Sequence, residues 1–82
     1  MSIELLRKEI DAVDDQLVAL LKARFDLSRA IGEEKKKKGL PVYDARREEA
    51  LLLRLEEAAA PYGSEVRALY ERIMELSRKL QR

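Results

Sequence analysis

The chain has 82 residues, 40% of them charged, yet its net charge is only +1, and it contains neither cysteine nor histidine. That composition describes one small domain, residues 1–82, without disulfides, thiolate metal sites, a thiol nucleophile or the usual base near neutral pH. The balance of 17 basic and 16 acidic residues argues against nucleic acid as a partner, and no apolar run approaches the ~20 residues of a membrane span.

Three segments rich in Ala, Leu, Glu, Lys and Arg, at about 2–37, 44–60 and 64–81, lie around the breaks Gly39-Leu40-Pro41 and Pro61-Tyr62-Gly63. None alternates with period two, so the expected fold is all-α, with three helices per chain and a long first helix. In that first helix Ile3, Leu6, Ile10, Val13, Leu17, Leu20, Arg24, Leu27 and Ile31 succeed one another at alternating spacings of 3 and 4. Such a heptad seam wants a partner helix along its whole length. A helix of ~35 residues is ~53 Å long, against a diameter near ~30 Å for a compact domain of this size. The other two segments are each about half as long, so a second copy of the chain covers the seam more naturally than they do. An intertwined helical homodimer is the expected assembly.

The four lysines from Lys35 to Lys38 suit the negative end of the first helix, and Lys36 to Lys38 read as a solvated helix end. In the second segment Asp44 is placed to cap, with Leu51, Leu52, Leu55, Ala58 and Ala59 as the inner face. In the third, Ser64 can cap, Glu65 suits the positive end, and Val66, Leu69, Ile73, Leu76 and Leu80 form the seam.

Several polar residues interrupt these faces. Arg24 occupies a seam position between Leu20 and Leu27, Lys35 lies one turn past Ile31, and Arg7 one turn past Ile3. Glu48 stands at heptad spacing from Leu55, and Ser77 and Gln81 flank the third seam at i and i+4. Four of them have a plain structural reading: a solvated edge for Arg7, an ion pair or register device for Arg24, a face turned to water for Ser77 and Gln81. Their convergence favours another. Three helices bring polar groups toward an apolar interior, and cations there without matching acids imply that an anionic ligand supplies the missing charge.

Along nearly the whole chain these positions resemble the all-helical chorismate mutases. The resemblance rests on Arg7, on Arg24 seventeen residues later, and on Lys35 eleven after that. The turn Pro41-Val42-Tyr43-Asp44-Ala45-Arg46-Arg47-Glu48 is similar to that family's loop into helix two, and Ser77 and Gln81 to the Ser and Gln of its last helix.

The resemblance implies a two-fold dimer with two active sites, in which Arg7 enters the partner's site. Arg24, Lys35, Asp44, Arg47, Glu48, Ser77 and Gln81 would come from one chain. Arg7, Arg24 and Arg47 would hold the two carboxylates of chorismate, with Ser77 adding a hydroxyl. Glu48 and the backbone near Asp44 would meet the ring hydroxyl, while Lys35 and Gln81 act as catalytic donors to the ether oxygen. The implied reaction, a Claisen rearrangement to prephenate in aromatic amino-acid biosynthesis, needs no metal, cofactor, nucleophile or base.

Three alternatives stand beside it. One is a chorismate- or prephenate-sensing regulatory domain fused to the aldolase 3-deoxy-7-phosphoheptulonate synthase. Another is an isochorismate pyruvate lyase, and the third a non-catalytic helical dimerisation module. Met1-Ser2-Ile3-Glu4 is unlike a signal peptide, so a cytoplasmic location is expected. The absence of Asn, Thr and Trp beside the high charge leans toward a thermophilic source.

Overall fold

The hydroxyl of Ser2 opens the first helix by accepting the Leu5 N–H at 3.1 Å, satisfying one of the donors that a helix start leaves orphaned. In the computed structural model, which describes residues 2–82, that helix is α1 (Ile3–Lys38). It is followed by α2 (Ala45–Ala58) and α3 (Gly63–Gln81), with no strand among the described residues. α1 ends where Gly39 adopts φ 67°, a left-handed conformation that glycine enters without a Cβ penalty. Leu40 and Gly39 then donate back to the carbonyls of Lys35 and Lys36, closing the helix in a Schellman turn.

The expected cap of α2 is present: the Asp44 Oδ1 accepts the Arg47 N–H at 3.1 Å. The expected cap of α3 is not. The turn after α2 is tight, with the Tyr62 N–H donating to the Ala59 carbonyl at 2.8 Å, and α3 starts at Gly63 with Tyr62 at its cap position. Ser64 therefore falls inside the first turn, where its hydroxyl donates to Glu65.

α1 and α2 both pack on α3. The core is small: Leu51 and Leu52 from α2, Ile73 and Met74 from α3, with Leu55 and Tyr70 packed against it. Ala58 is exposed and Ala59 half-buried, because α2 ends as it reaches them. On α3 the buried face is Ile73, Met74 and Ser77, a turn of the helix away from the expected seam ends Leu69 and Leu80, which stay exposed. The Arg67 guanidinium joins α2 to α3 through Glu49 at 3.1 Å and Glu56 at 3.3 Å, and reaches Glu71 at 3.6 Å on its own helix. The Glu49 carboxylate leads in raising its pKa above the ordinary arginine value.

The only buried residues of α1 are Ser28 and Gly32. They lie one position on from Leu27 and Ile31, which at 3.6 residues per turn is a face rotated by about 100° from the seam. Both are small, and at Gly32 smallness is required. A Cβ there would stand 2.6 Å from the Cα and carbonyl oxygen of Gln81, so the backbones of α1 and α3 meet at this point. A glycine inside a helix costs about 0.5–1 kcal/mol relative to alanine, and here that cost secures the close approach of the last turn of α3.

The seam itself is bare. Ile3 is 67% exposed, Leu20 68% and Leu27 64%. The chain is 55 Å long with a radius of gyration of 15.7 Å, where a compact chain of this length has about 12 Å. Its accessible surface is 6700 Å², against about 5,000 Å² for a compact monomer of its mass. A single chain thus leaves the apolar stripe of its longest helix in water.

Candidate active site

Where the C-terminal half of α1, the start of α2 and the end of α3 converge, they enclose a cleft of about 430 Å³, within the usual range for small-molecule sites. Each helix lines it with one face. α3 supplies Met74, Ser77, Arg78 and Gln81, and α2, with its cap residue, supplies Asp44, Arg47, Glu48 and Leu51, both sets at i, i+3, i+4 and i+7. α1 supplies Arg24, Leu27, Ser28, Ile31 and Lys35, and Val42 enters from the connection. Four cations face two carboxylates, leaving the lining at +2.

Two pairs of polar side chains organise the cleft. The Lys35 ammonium donates to the Val42 carbonyl at 2.7 Å and to the Gln81 Oε1 at 2.9 Å. An ammonium has three N–H bonds and can only donate, so one remains for a ligand. The same contact turns the amide oxygen of Gln81 toward Lys35 and leaves its NH₂ as a donor. Deeper along α1, the Arg24 Nη1 donates to the Ser77 Oγ at 2.8 Å, and the guanidinium lies 5.5 Å from the Tyr70 ring centroid. Having accepted from arginine, the Ser77 hydroxyl keeps its own hydrogen for a partner. Ser77 is 5% exposed, so it does not face water. Gln81 is half-buried and helical, held by its contact with Gly32.

Glu48 is paired within the chain. Its Oε1 accepts a hydrogen bond from the Arg78 Nη1, and the Arg78 guanidinium stacks 5.0 Å from the Tyr43 ring centroid. Glu48 raises the Arg78 pKa above the ordinary arginine value, chiefly through that bond. Glu48 is an expected member of the cleft, whereas Arg78 is not among the expected residues. The signal was there: Arg78 stands at i+4 from Met74 and three before Gln81. Ser28 was likewise missed, though it lies four after Arg24.

Asp44 and Arg47 line the mouth of the cleft and are exposed. Arg7 is not among the lining residues. It lies seventeen residues before Arg24, about 25 Å along the helix axis, beyond reach of its own chain's cleft. The structure therefore brings seven of the eight expected positions together and leaves the eighth at the far end of α1.

The arrangement suits a small dianion and offers hydrogen-bond donors at a second point. No described helix is long and apolar enough to cross a membrane. Among known proteins, the T-protein of Enterobacter agglomerans is 45% identical over 58 residues, 71% of this chain and 16% of that protein. The bifunctional chorismate mutase/prephenate dehydratase of Aquifex aeolicus is 46% identical over 43 residues, 52% of this chain and 12% of that one. The chain thus spans less than a fifth of the length of these two relatives. A solved structure, a conserved hypothetical protein from Pyrococcus furiosus, superposes with a TM-score of 0.84 at 42% identity, covering 98% of this chain and 95% of its own. Residues 6–82 match the family model of chorismate mutase type II, and the chain belongs to that family.

Proposed function

We propose that this chain converts chorismate to prephenate, and that Lys35 and Gln81 are the donors at the breaking bond. The observation that carries this reading is the hydrogen bond that Lys35 donates to the Gln81 Oε1 at 2.9 Å, which leaves both side chains, each lining the cleft, with an unspent N–H. The reaction breaks an ether C–O bond and forms a C–C bond within one molecule, so no atom enters or leaves. What remains for the protein is to hold the enolpyruvyl arm over the ring and to stabilise charge growing on the ether oxygen. Arg24 and Ser77 suit one carboxylate of the dianion and Arg47 the other. Glu48, with the backbone near Asp44, suits the ring hydroxyl.

The functional unit in this reading is a homodimer, paired along the bare seam of α1. The seam runs from Ile3 to Ile31 and is centred on Leu17. An antiparallel pair centred there sets position 7, ten residues before the centre, opposite position 27, ten residues after it. The partner's Arg7 then lies between Arg24 and Lys35, where it completes the clamp on the dianion. A two-fold axis makes both sites of the dimer alike.

The relatives carry the matched segment within longer chains, which supports a fused or associated enzyme as a further part of the system, though neither relative is named for the aldolase. The Aquifex aeolicus relative is named for prephenate dehydratase instead. The cytoplasm is the expected compartment. The dense ion pairing around Arg67 supports a thermophilic origin.

Adding purified protein to chorismate should remove the chorismate absorbance and produce prephenate, identified by NMR. Sedimentation at micromolar concentration should give a particle of about twice the 9.5 kDa chain mass, with no folded monomer. Unchanged chorismate would refute the activity. A folded monomer would refute the two-chain site.

A further inference from the structure

A cleft built to bind a dianion must accommodate the carboxylate of Glu48, which lines it more deeply than the exposed Asp44. An unpaired carboxylate there would repel the ligand at close range in a site that partly excludes water. Glu48 is not unpaired. Arg78 reaches it from α3, both side chains being about three-quarters buried, at 25% and 21% exposure. The guanidinium is itself held in place over the Tyr43 ring, so elements on three sides fix the pair: α2, α3 and the connection before α2. Only the Oε1 of Glu48 is engaged by Arg78. The second oxygen remains an acceptor.

We infer that Arg78 is a positioning residue that lets Glu48 serve as a hydroxyl acceptor inside an anion-binding cleft. Arg78 cancels the charge of Glu48 toward the dianion and fixes the rotamer that presents its free oxygen. It acts through Glu48 on ligand recognition, and Lys35 and Gln81 retain the transition-state contacts. This rests on the reading of Glu48 as the partner of the ring hydroxyl. Arginine suits the task because its planar fork can bond a carboxylate and stack on an aromatic ring at once.

The test is a set of four variants, each checked for helicity and dimer mass. Arg78→Met keeps the stem beside Tyr43 and should raise KM for chorismate by roughly tenfold or more, with kcat changed much less. Arg78→Lys, which keeps the charge but not the planar fork, should recover part of that loss. Glu48→Gln should raise KM in the native background. Combined with Arg78→Met it should lower KM below that of Arg78→Met alone, because the amide still accepts from a hydroxyl and no longer repels the dianion.

That reversal of sign is what a merely structural arginine would not give. A KM within twofold of native for Arg78→Met, or additive losses in the double variant, would overturn the inference. If the native protein converts no chorismate, the activity reading fails by itself. Chorismate binding to the same variants by calorimetry then decides the role of Arg78 by the same pattern in Kd.

Discussion

Gln81→Glu should cost about 10²–10³-fold in kcat near neutral pH, the usual price of losing one transition-state donor, and should recover in acid. The native amide donates from its NH₂ group at any pH, while its oxygen accepts from Lys35 at 2.9 Å. An introduced carboxylate would also pair with Lys35, but it would have no hydrogen to give. It would place a negative charge beside an oxygen that becomes negative as the ether bond breaks. Protonation restores a donor.

Two opposed effects set the pH at which this happens. Lys35 favours the ionised form, whereas the bound dianion and the growing oxyanion favour the neutral one. Recovery should therefore appear as the pH falls toward about 4–5, the range of an ordinary or slightly raised glutamate. The native protein should show no gain there. The measurement is kcat/KM against pH for both proteins, with circular dichroism at each point. A variant equal to native at neutral pH would remove Gln81 from the reacting bond.

Arg24→Ala should lose nearly all activity while the dimer stays folded. Arg24 spends one N–H on Ser77 and lies against Tyr70, so alanine gives up one hydrogen bond and some packing. Against that loss it removes a half-buried cation whose full partner is the ligand, and the net change in stability should be within about 1–2 kcal/mol. Activity should fall by several orders of magnitude, because the dianion loses a bidentate clamp that also sets its orientation. Chorismate turnover and thermal unfolding on the same samples check both halves. Native turnover would make Arg24 a register device of the helix pair, and would favour an interaction module over an enzyme.

Much of this was legible because helical periodicity is strict. The 3-and-4 spacing from Ile3 to Ile31 marks a single stripe, and the structure leaves that stripe bare. Arg24, Lys35, Ser77 and Gln81 were recognisable as polar residues on otherwise apolar faces, and they meet in one cleft. What periodicity could not show was contact between faces. Ser28 and Gly32 look like ordinary small residues until α3 is laid against them, and only then does Gly32 prove to be the sole fit for the backbone of Gln81. Arg78 looks like a surface residue in a charged helix until Glu48 is brought across from α2. Ser64 misled for a local reason: it is a good capping residue, but the short turn from Ala59 to Tyr62 starts the helix before it.

The claim that the site is completed by a second chain has its most direct test in mixed dimers. Arg7→Ala and Arg24→Ala chains should each be nearly inactive alone. After unfolding and refolding together in equal amounts, half the dimers are mixed, and each mixed dimer holds one cleft with both arginines native. Activity should then return to about a quarter of the native value per chain, as random pairing of a two-fold dimer requires. Refolding either variant by itself should return none. Activity of the mixture equal to the mean of the two parents, with subunit exchange confirmed by mass, would contradict a shared site and leave Arg7 with no part in the chemistry.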